Sequence, residues 1–338
     1  MAGRPVALLL PGQGAQYPGM AAELYGTEPA FTGAMDDVFG LLGEEGARIR
    51  ADWLSDEPAV PIDDAVRAQP LLFAIGYAAG QALRAGGIRP DVLLGHSVGE
   101  LVAAVLAGVI DLPGCARLLL ARSAVLVDVP AGGMLAVAAA PRDVAPFLRE
   151  AYPHVVLGAV NAPRQVVLAG TEPELSTIEH ELSTAGFRCA RVLSRQPFHS
   201  PAVRQAARRL AVVAARLELR SPRVPIRSTR TGRLVTSTEA TDPTFWTHQV
   251  AEPVLFWPAL EGLLGTGNYL LVESGPGAGL TTLARRHPKV RSGHSEVLAL
   301  SPPGAAGTLE TWRSAIRRLP IAEPVHEPRK LWYSGRTS

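Results

Sequence analysis

One stretch constrains this chain more than any other: Pro90-Asp91-Val92-Leu93-Leu94-Gly95-His96-Ser97-Val98-Gly99-Glu100-Leu101-Val102-Ala103-Ala104. A short apolar run ends in Gly-His-Ser-Val-Gly, and an Ala/Leu/Val-rich segment follows at once. The pattern predicts strand, sharp turn and helix, with Ser97 at the apex. Such a turn strains the serine backbone, and small neighbours, here Gly95 and Gly99, let the chain fold back closely. The hydroxyl then stands at the positive end of the next helix, where developing negative charge is stabilised. A lone Gly-x-Ser-x-Gly match also arises by chance; the strand before it and the helix after it are the context that gives it weight.

The bulk properties narrow the class. With 338 residues the chain can bury a large core and hold more than one substructure. Hydrophobic residues make up 47% and charged residues 19%, a globular rather than a disordered balance. A formal net charge of +2 gives no ground for nucleic acid or a membrane surface as partner. Of the 33 basic residues only Lys289 and Lys330 are lysines, a bias that fits a GC-rich genome. Cys115 and Cys189 sit in apolar segments, with neither metal-ligand spacing nor a disulfide framework, which fits a reducing cytoplasm. The apolar start at Val6–Leu10 is too short for a signal-peptide core, and no run approaches the roughly 20 residues of a membrane span.

Taken in order, Pro5–Leu10 predicts a buried strand and Pro11–Gln16 a tight loop. Gly12 and Gly14 hint at a dinucleotide fingerprint, but Tyr17 stands where its third glycine belongs. Helical pieces broken by Gly and Pro fill Pro18–Asp64. Gln69-Pro70 is expected to open a small-residue helix to about Ala85, with Gln69 as a surface cap or a site residue. Ile88–Gly95 leads into the turn. A helix from Leu112 to Val127 carries Arg122 among leucines, alanines and valines. Burying that cation without a partner is costly. It either snorkels to solvent or waits for an anionic group held through paired hydrogen bonds.

Residues 131–196 read as β-α-β-β-α-β, the order of a ferredoxin-like unit inserted in the larger one. Its parts are a strand at Gly133–Ala139, a helix at Pro141–Tyr152, a hairpin of Val155–Val160 and Gln165–Ala169 around Asn161, a helix at Thr171–Ala185 and a strand at Phe187–Leu193. Thr171 and Glu174 are expected to form the second helix's capping box. A helix at Ala202–Leu219, strands near Val224–Ser228 and Tyr269–Glu273, and a Pro-rich tail follow. The expected organisation is an α/β core of 1–130 and 197–318, an insert of 131–196 and an extended tail of 319–338.

A serine hydroxyl needs a base. Of eight histidines, His96 adjoins Ser97 but should point away from it, and His248 sits near a helix end. His199, pinned between Pro197 and Pro201 where the two units join, is the first choice. The usual serine–acid–histidine order would draw on Asp111, Asp128 or Asp143, none of which has a convincing strand-end context. No His-Glu-x-x-His or other metal constellation is present.

Together these marks resemble the malonyl-CoA:acyl-carrier-protein transacylases and the acyltransferase domains of polyketide synthases. They are Pro11–Gln16, Gln69-Pro70, Gly95–Glu100, Arg122, Asn161, Phe198-His199-Ser200, Gln249 with Pro253-Val254, and Glu273–Gly277. The resemblance spans Leu8 to about Arg286 and implies an α/β-hydrolase-like core with a ferredoxin-like insert. It also implies that Ser97 carries the acyl group and that His199 acts as base and then acid. The N–H groups of Gln13 and Val98 would form the oxyanion hole, and a carbonyl or amide near Gln249 would orient the histidine. Arg122 would clamp a malonyl-type carboxylate, with Gln69, His96, Asn161, Phe198 and Gln249 around the substrate.

The implied substrates are acyl-CoA and the phosphopantetheine thiol of an acyl carrier protein; no cofactor or metal is implied. The setting would be polyketide, including antibiotic, biosynthesis. Phe198 and Val98 resemble malonyl-selective members, whereas Leu101-Val102, Val125–Asp128 and Gln196-Pro197 depart from the family's usual residues around the acyl pocket. Transfer of a larger acyl or aminoacyl unit between two carriers and hydrolysis of carrier-bound acyl groups remain alternatives, as does a scaffold that only docks carriers. Basic segments at 204–216 and 285–291 are candidate carrier contacts. The chain's ends fit a free-standing enzyme, although Leu319–Tyr333 is similar to the linker after such domains in megasynthases.

Overall fold

The strands, in chain order, are β1 (Val6–Leu10), β2 (Val92–Gly95), β3 (Gly132–Val137), β4 (Val156–Ala162), β5 (Gln165–Thr171), β6 (Cys189–Arg191), β7 (Ile226–Ser228), β8 (Leu270–Glu273) and β9 (Glu296–Ala299). They belong to a computed structural model that describes residues 4–148 and 152–321. One sheet runs β7-β2-β1-β8-β9 and is parallel throughout. Every residue of β1 and β2 is buried, as their unbroken apolar runs require of parallel strands covered on both faces. Leu10 lies beside Gly95 and Leu9 beside Glu273. The carboxyl ends of β1, β2 and β8 therefore share one edge, and the Pro11, Ser97 and Gly275 loops leave from it. In open parallel sheets that edge is where ligands bind.

The second sheet, β4-β5-β3-β6, is antiparallel. Its side chains alternate with the two-residue period of a strand. Leu135 and Val137 of β3 pack with Leu175, Ile178 and Leu182 of the helix Glu174–Thr184 in a small core of their own. Met134 points the other way, into the main core. One face of this sheet thus holds its own helix, and the other roofs the larger unit.

Several boundaries differ from the sequence reading. The helix expected from Gln69 starts at Ala65, because Asp64 caps it by accepting the Val66 N–H (3.1 Å). Pro70 then lies more than a turn inside. The helix expected over Pro141–Tyr152 is α-helical only at Pro141–Val144 and continues as a 3₁₀ turn, Ala145–Phe147; Pro146 cannot donate to an α-helical ladder. Residues 149–151 of that expectation lie outside the described residues. Thr171 forms no capping box: it ends β5, paired with Gly132, and the Glu174 carboxylate takes the His154 N–H instead (3.1 Å). The strand expected over Phe187–Leu193 shortens to β6. The helix expected over Ala202–Leu219 is a 3₁₀ turn, Pro201–Val203, followed by Arg204–Ala214. Of the expected tail, 319–321 is described and the rest lies outside the described residues.

Candidate active site

Ser97 follows β2 and precedes the helix Gly99–Leu106, with its backbone in the left-handed region at φ 53°. The flanking glycines are there because of close approach. A Cβ on Gly95 would lie 2.4 Å from the Gly99 carbonyl, and one on Gly99 2.1 Å from the Leu10 oxygen. Neither gap admits a side chain, so the sharp turn exists only with glycine at both positions.

His199 arrives from the far side of the cleft, also left-handed at φ 61°. A non-glycine residue held there costs roughly 1–3 kcal/mol and persists only where its surroundings fix it. Here the His199 N–H donates to the Val250 carbonyl (2.8 Å), and the Ser200 hydroxyl donates to the Pro197 carbonyl (2.7 Å). The ring Nδ1 lies 2.8 Å from the Glu252 carbonyl oxygen. A carbonyl only accepts, so Nδ1 carries the proton and Nε2 the lone pair. That lone pair faces the Ser97 Oγ at 2.8 Å. Burial first, with lesser contributions from His96 and the Arg122 cation, pushes the His199 pKa down to about 3 against backbone carbonyls that raise it. The imidazole is neutral at ordinary pH and free to accept the hydroxyl proton.

The carboxylates weighed as a third member are occupied elsewhere. Asp111 caps the helix Leu112–Leu126 through the Gly114 N–H (2.7 Å), Asp128 pairs with Arg209 (2.8 Å), and Asp143 takes the Ala140 N–H (3.1 Å). The Glu252 carbonyl stands where an acid would. It escapes sequence reading by name because every residue has a carbonyl; the nearest signal is the Gln249 segment. Gln249 itself is buried, with its carbonyl near the imidazole, and is absent from the cavity wall.

The pair opens into a cavity of about 670 Å³ between the two sheets, whose walls include Gln13, His96, Ser97, Asn161, Phe198 and His199. Met134, Ala136 and Val167 from the antiparallel sheet give it an apolar roof. His96 turns away from Ser97, as expected. Its Nε2 donates to the Asn161 Oδ1 (2.9 Å), joining the turn to β4, and burial lowers its pKa. Among the described residues, the N–H groups of Gln13 and Val98 have no hydrogen-bond acceptor. Phe198 is buried against the same space.

Arg122 and Gln69 lie behind this wall, both buried. The Arg122 Nε donates to the Gln69 Oε1 (2.6 Å), and the Gln69 Nε2 donates to the Gln13 Oε1 (3.0 Å). Gln69 is therefore no surface cap, and Arg122 does not snorkel. Two donors remain without partners: one terminal nitrogen of Arg122 and the Gln13 Nε2. No carboxylate pairs with Arg122 among the described residues, and burial lowers its pKa to about 10.

Two further carboxyls, outside the sequence-predicted site, are buried: Glu273 and Glu100. Glu273 ends β8 and accepts the N–H groups of Leu280 (3.0 Å) and Thr281 (2.8 Å), anchoring the helix Gly279–Ala284 beside the cavity. Glu100, also buried, accepts from the Ser228 hydroxyl and the Thr229 N–H. No cluster of three metal-ligating side chains occurs among the described residues, and no described helix is long and apolar enough to cross a membrane.

A strained serine at a strand–helix turn on an α/β sheet, hydrogen-bonded to a neutral histidine from across the cleft, is an arrangement in which a hydroxyl can attack and an imidazole can take its proton. Residues 8–322 match the acyl transferase domain family, and the chain belongs to it. It is 36% identical over 299 residues to a phenolphthiocerol/phthiocerol polyketide synthase protein of Mycobacterium tuberculosis, covering 88% of this chain and 20% of that protein. The chain thus spans about a fifth of the length of that relative. The acyltransferase domain of the second module of the salinomycin polyketide synthase superposes with a TM-score of 0.84 at 34% identity, over 93% of this chain and 72% of that one. Malonyl-CoA:acyl carrier protein transacylase (FabD) from Xanthomonas oryzae does so at 0.79 and 26% identity, over 94% and 99%. The fold is that of these acyltransferases, an α/β-hydrolase-like core with a ferredoxin-like subdomain.

Proposed function

We propose that this protein moves a malonyl-type acyl group from CoA to the phosphopantetheine thiol of an acyl carrier protein, in polyketide assembly, by a ping-pong reaction on Ser97. The observation that carries the reading is the Ser97–His199 pair at 2.8 Å beside a buried arginine that lacks a carboxylate. The hydroxyl gives its proton to the His199 Nε2 as Oγ attacks the thioester carbonyl. The Gln13 and Val98 N–H groups and the positive end of the helix Gly99–Leu106 hold the resulting oxyanion. Collapse breaks the C–S bond, and the CoA sulfur leaves with the proton from His199. The carrier thiol then gives its proton to His199 and attacks the ester, and Ser97 recovers its hydroxyl. The Glu252 carbonyl holds the ring through both halves.

Arg122 selects the donor. Its unpartnered nitrogen offers a buried, charge-assisted bond to the free carboxylate of a malonyl group, and a neutral acyl chain would leave that cation unpaired. This disfavours a hydrolase of uncharged acyl groups. Phe198 crowds an α-branch, a discrimination of about 1–3 kcal/mol per methyl. The roof at Met134, Ala136 and Val167 keeps water from the ester. Arg286 at the cavity wall, with the exposed Arg285 and Arg291, gives an acidic carrier a docking edge. Lys289 serves the fold instead, donating to the Leu264 carbonyl. The Asp128–Arg209 pair likewise takes one arginine of the 204–216 segment.

Intact-protein mass spectrometry after exposure to malonyl-CoA, acetyl-CoA and acylated carriers tests the reading. A malonyl adduct on Ser97 that a carrier thiol removes is expected. Loading by neutral acyl groups alone would overturn the donor assignment.

A further inference from the structure

Glu100 is a buried carboxyl that the reaction does not use, 1% exposed. It lies three residues beyond Ser97, and its own N–H donates to the Ser97 carbonyl (2.9 Å). Its Oε1 accepts from the Ser228 hydroxyl (2.9 Å), the Thr229 N–H (2.5 Å), the Thr229 hydroxyl (2.9 Å) and the Arg230 N–H (3.2 Å). The Thr229 hydroxyl also lies 2.9 Å from the Gly95 carbonyl, at the other foot of the serine turn. The Thr229 carbonyl accepts the Leu255 N–H (2.6 Å). Three residues before Leu255 is Glu252, whose carbonyl holds the His199 Nδ1.

Resting on the reading of Ser97 and His199 above, we propose that Glu100 is a positioning residue: through Thr229 and Leu255 it sets where the segment that orients His199 stands relative to the serine turn. The nucleophile and its base come from separate parts of the chain. Hydrogen bonds from Glu100 through Thr229 to Leu255, continued by the three covalent links back to Glu252, join their supports. The Glu100 Oε2 has no partner, so one oxygen does the gathering. An amide carbonyl at the same place can accept the same donors, whereas an alkyl group leaves the Thr229 N–H and the Ser228 hydroxyl without their acceptor; the Arg230 N–H keeps the Ser228 oxygen (3.0 Å) and the Thr229 hydroxyl keeps the Gly95 carbonyl.

The test is the second-order rate at which a fluorophosphonate probe labels Ser97 in the full chain. It reads the serine–histidine alignment without any acyl donor or carrier. Unfolding curves and the downfield NMR signal of the His199 Nδ1 proton are recorded alongside. Glu100→Gln is expected to label within about threefold of the parent and to keep the downfield signal. Glu100→Leu is expected to fall about 100-fold, the scale of an ångström-sized misplacement, with the signal shifted or lost while the chain is still folded. Thr229→Val, which keeps the backbone donor and loses the hydroxyl, is expected to fall about tenfold and decides the matter if Glu100→Leu does not fold. Folded Glu100→Leu or Thr229→Val labelling at the parent rate with the signal unmoved would overturn the positioning role and leave the Ser97 reading intact. A parent protein that the probe does not label would overturn both.

Discussion

Two arginines, 55 positions apart and both buried in helices of the larger unit, show what an apolar setting does and does not mean. Arg67 is 5% exposed and Arg122 3%. Arg67 is fully answered: its Nε donates to Asp52 (2.6 Å), and a terminal nitrogen pairs with Glu45. Burial works to raise the Asp52 pKa, but Arg67 and the Ala59 N–H outweigh it and hold that carboxyl below its ordinary value. Arg122 meets only the neutral oxygen of Gln69. One cation ties the helix Pro29–Trp53 to the helix Ala65–Ala85. The other is left short of a negative charge, and an unpaired buried cation is a cost that a fold retains where a ligand removes it.

Arg122→Met should open the widest gap between the two positions. Losing a buried charge-assisted bond to the substrate costs about 2–5 kcal/mol, so malonyl loading of Ser97 should fall by roughly two orders of magnitude or more. The unfolding midpoint should hardly move, because no carboxylate is orphaned. Quenched-flow mass spectrometry and thermal unfolding read the two effects. Unchanged donor selectivity would erase the contrast. Arg67→Met should do the reverse, destabilising the chain by about 3–5 kcal/mol as Asp52 loses its partner. Loading per folded molecule should hold, as denaturant titration beside active-site counting would show.

How much of this was legible beforehand depends on the range of the forces involved. The serine turn was readable because its demands are local: apolar strand, two glycines that no side chain can replace, apolar helix. The inserted unit was readable from its order of elements, since Leu135 and Met134 alternate faces as any half-buried strand must. Thr171 was misread because the β5–β3 ladder claimed it before a helix cap could, a long-range pairing that overrides a four-residue motif. The difference between Arg67 and Arg122 was invisible for the same reason. Glu45 and Asp52 reach Arg67 from an earlier helix, and nothing in the leucines around Arg122 says that no such partner comes. Glu100 hid inside a motif that was read only for its serine.

Gln69→Leu sharpens the contrast at a smaller scale, about tenfold, the worth of one or two neutral hydrogen bonds. Gln69 links Arg122 to Gln13, so the substitution should slow loading of carboxylated and neutral acyl groups alike. A loss confined to carboxylated donors would mean that Gln69 serves Arg122 alone and that the Gln13 loop keeps its shape without it.

The smallest effect concerns the charge that Arg122 casts on the base. Burial first, with lesser contributions from His96 and the Arg122 cation, holds the His199 pKa at about 3 against an ordinary 6.5. A histidine depressed in the fold binds fewer protons folded than unfolded between those two values, so stability falls as pH drops through that window. Serine labelling by a small neutral probe should therefore show no inflection at pH 6.5, its acid limb lying further down toward the folded value. Arg122→Met removes the fixed like charge while burial persists, so the limb should move upward and stay below 6.5. A parent inflection at 6.5 would mean that water reaches the imidazole. An unmoved limb in Arg122→Met would mean that the arginine acts on the substrate alone, with no electrostatic reach to the histidine.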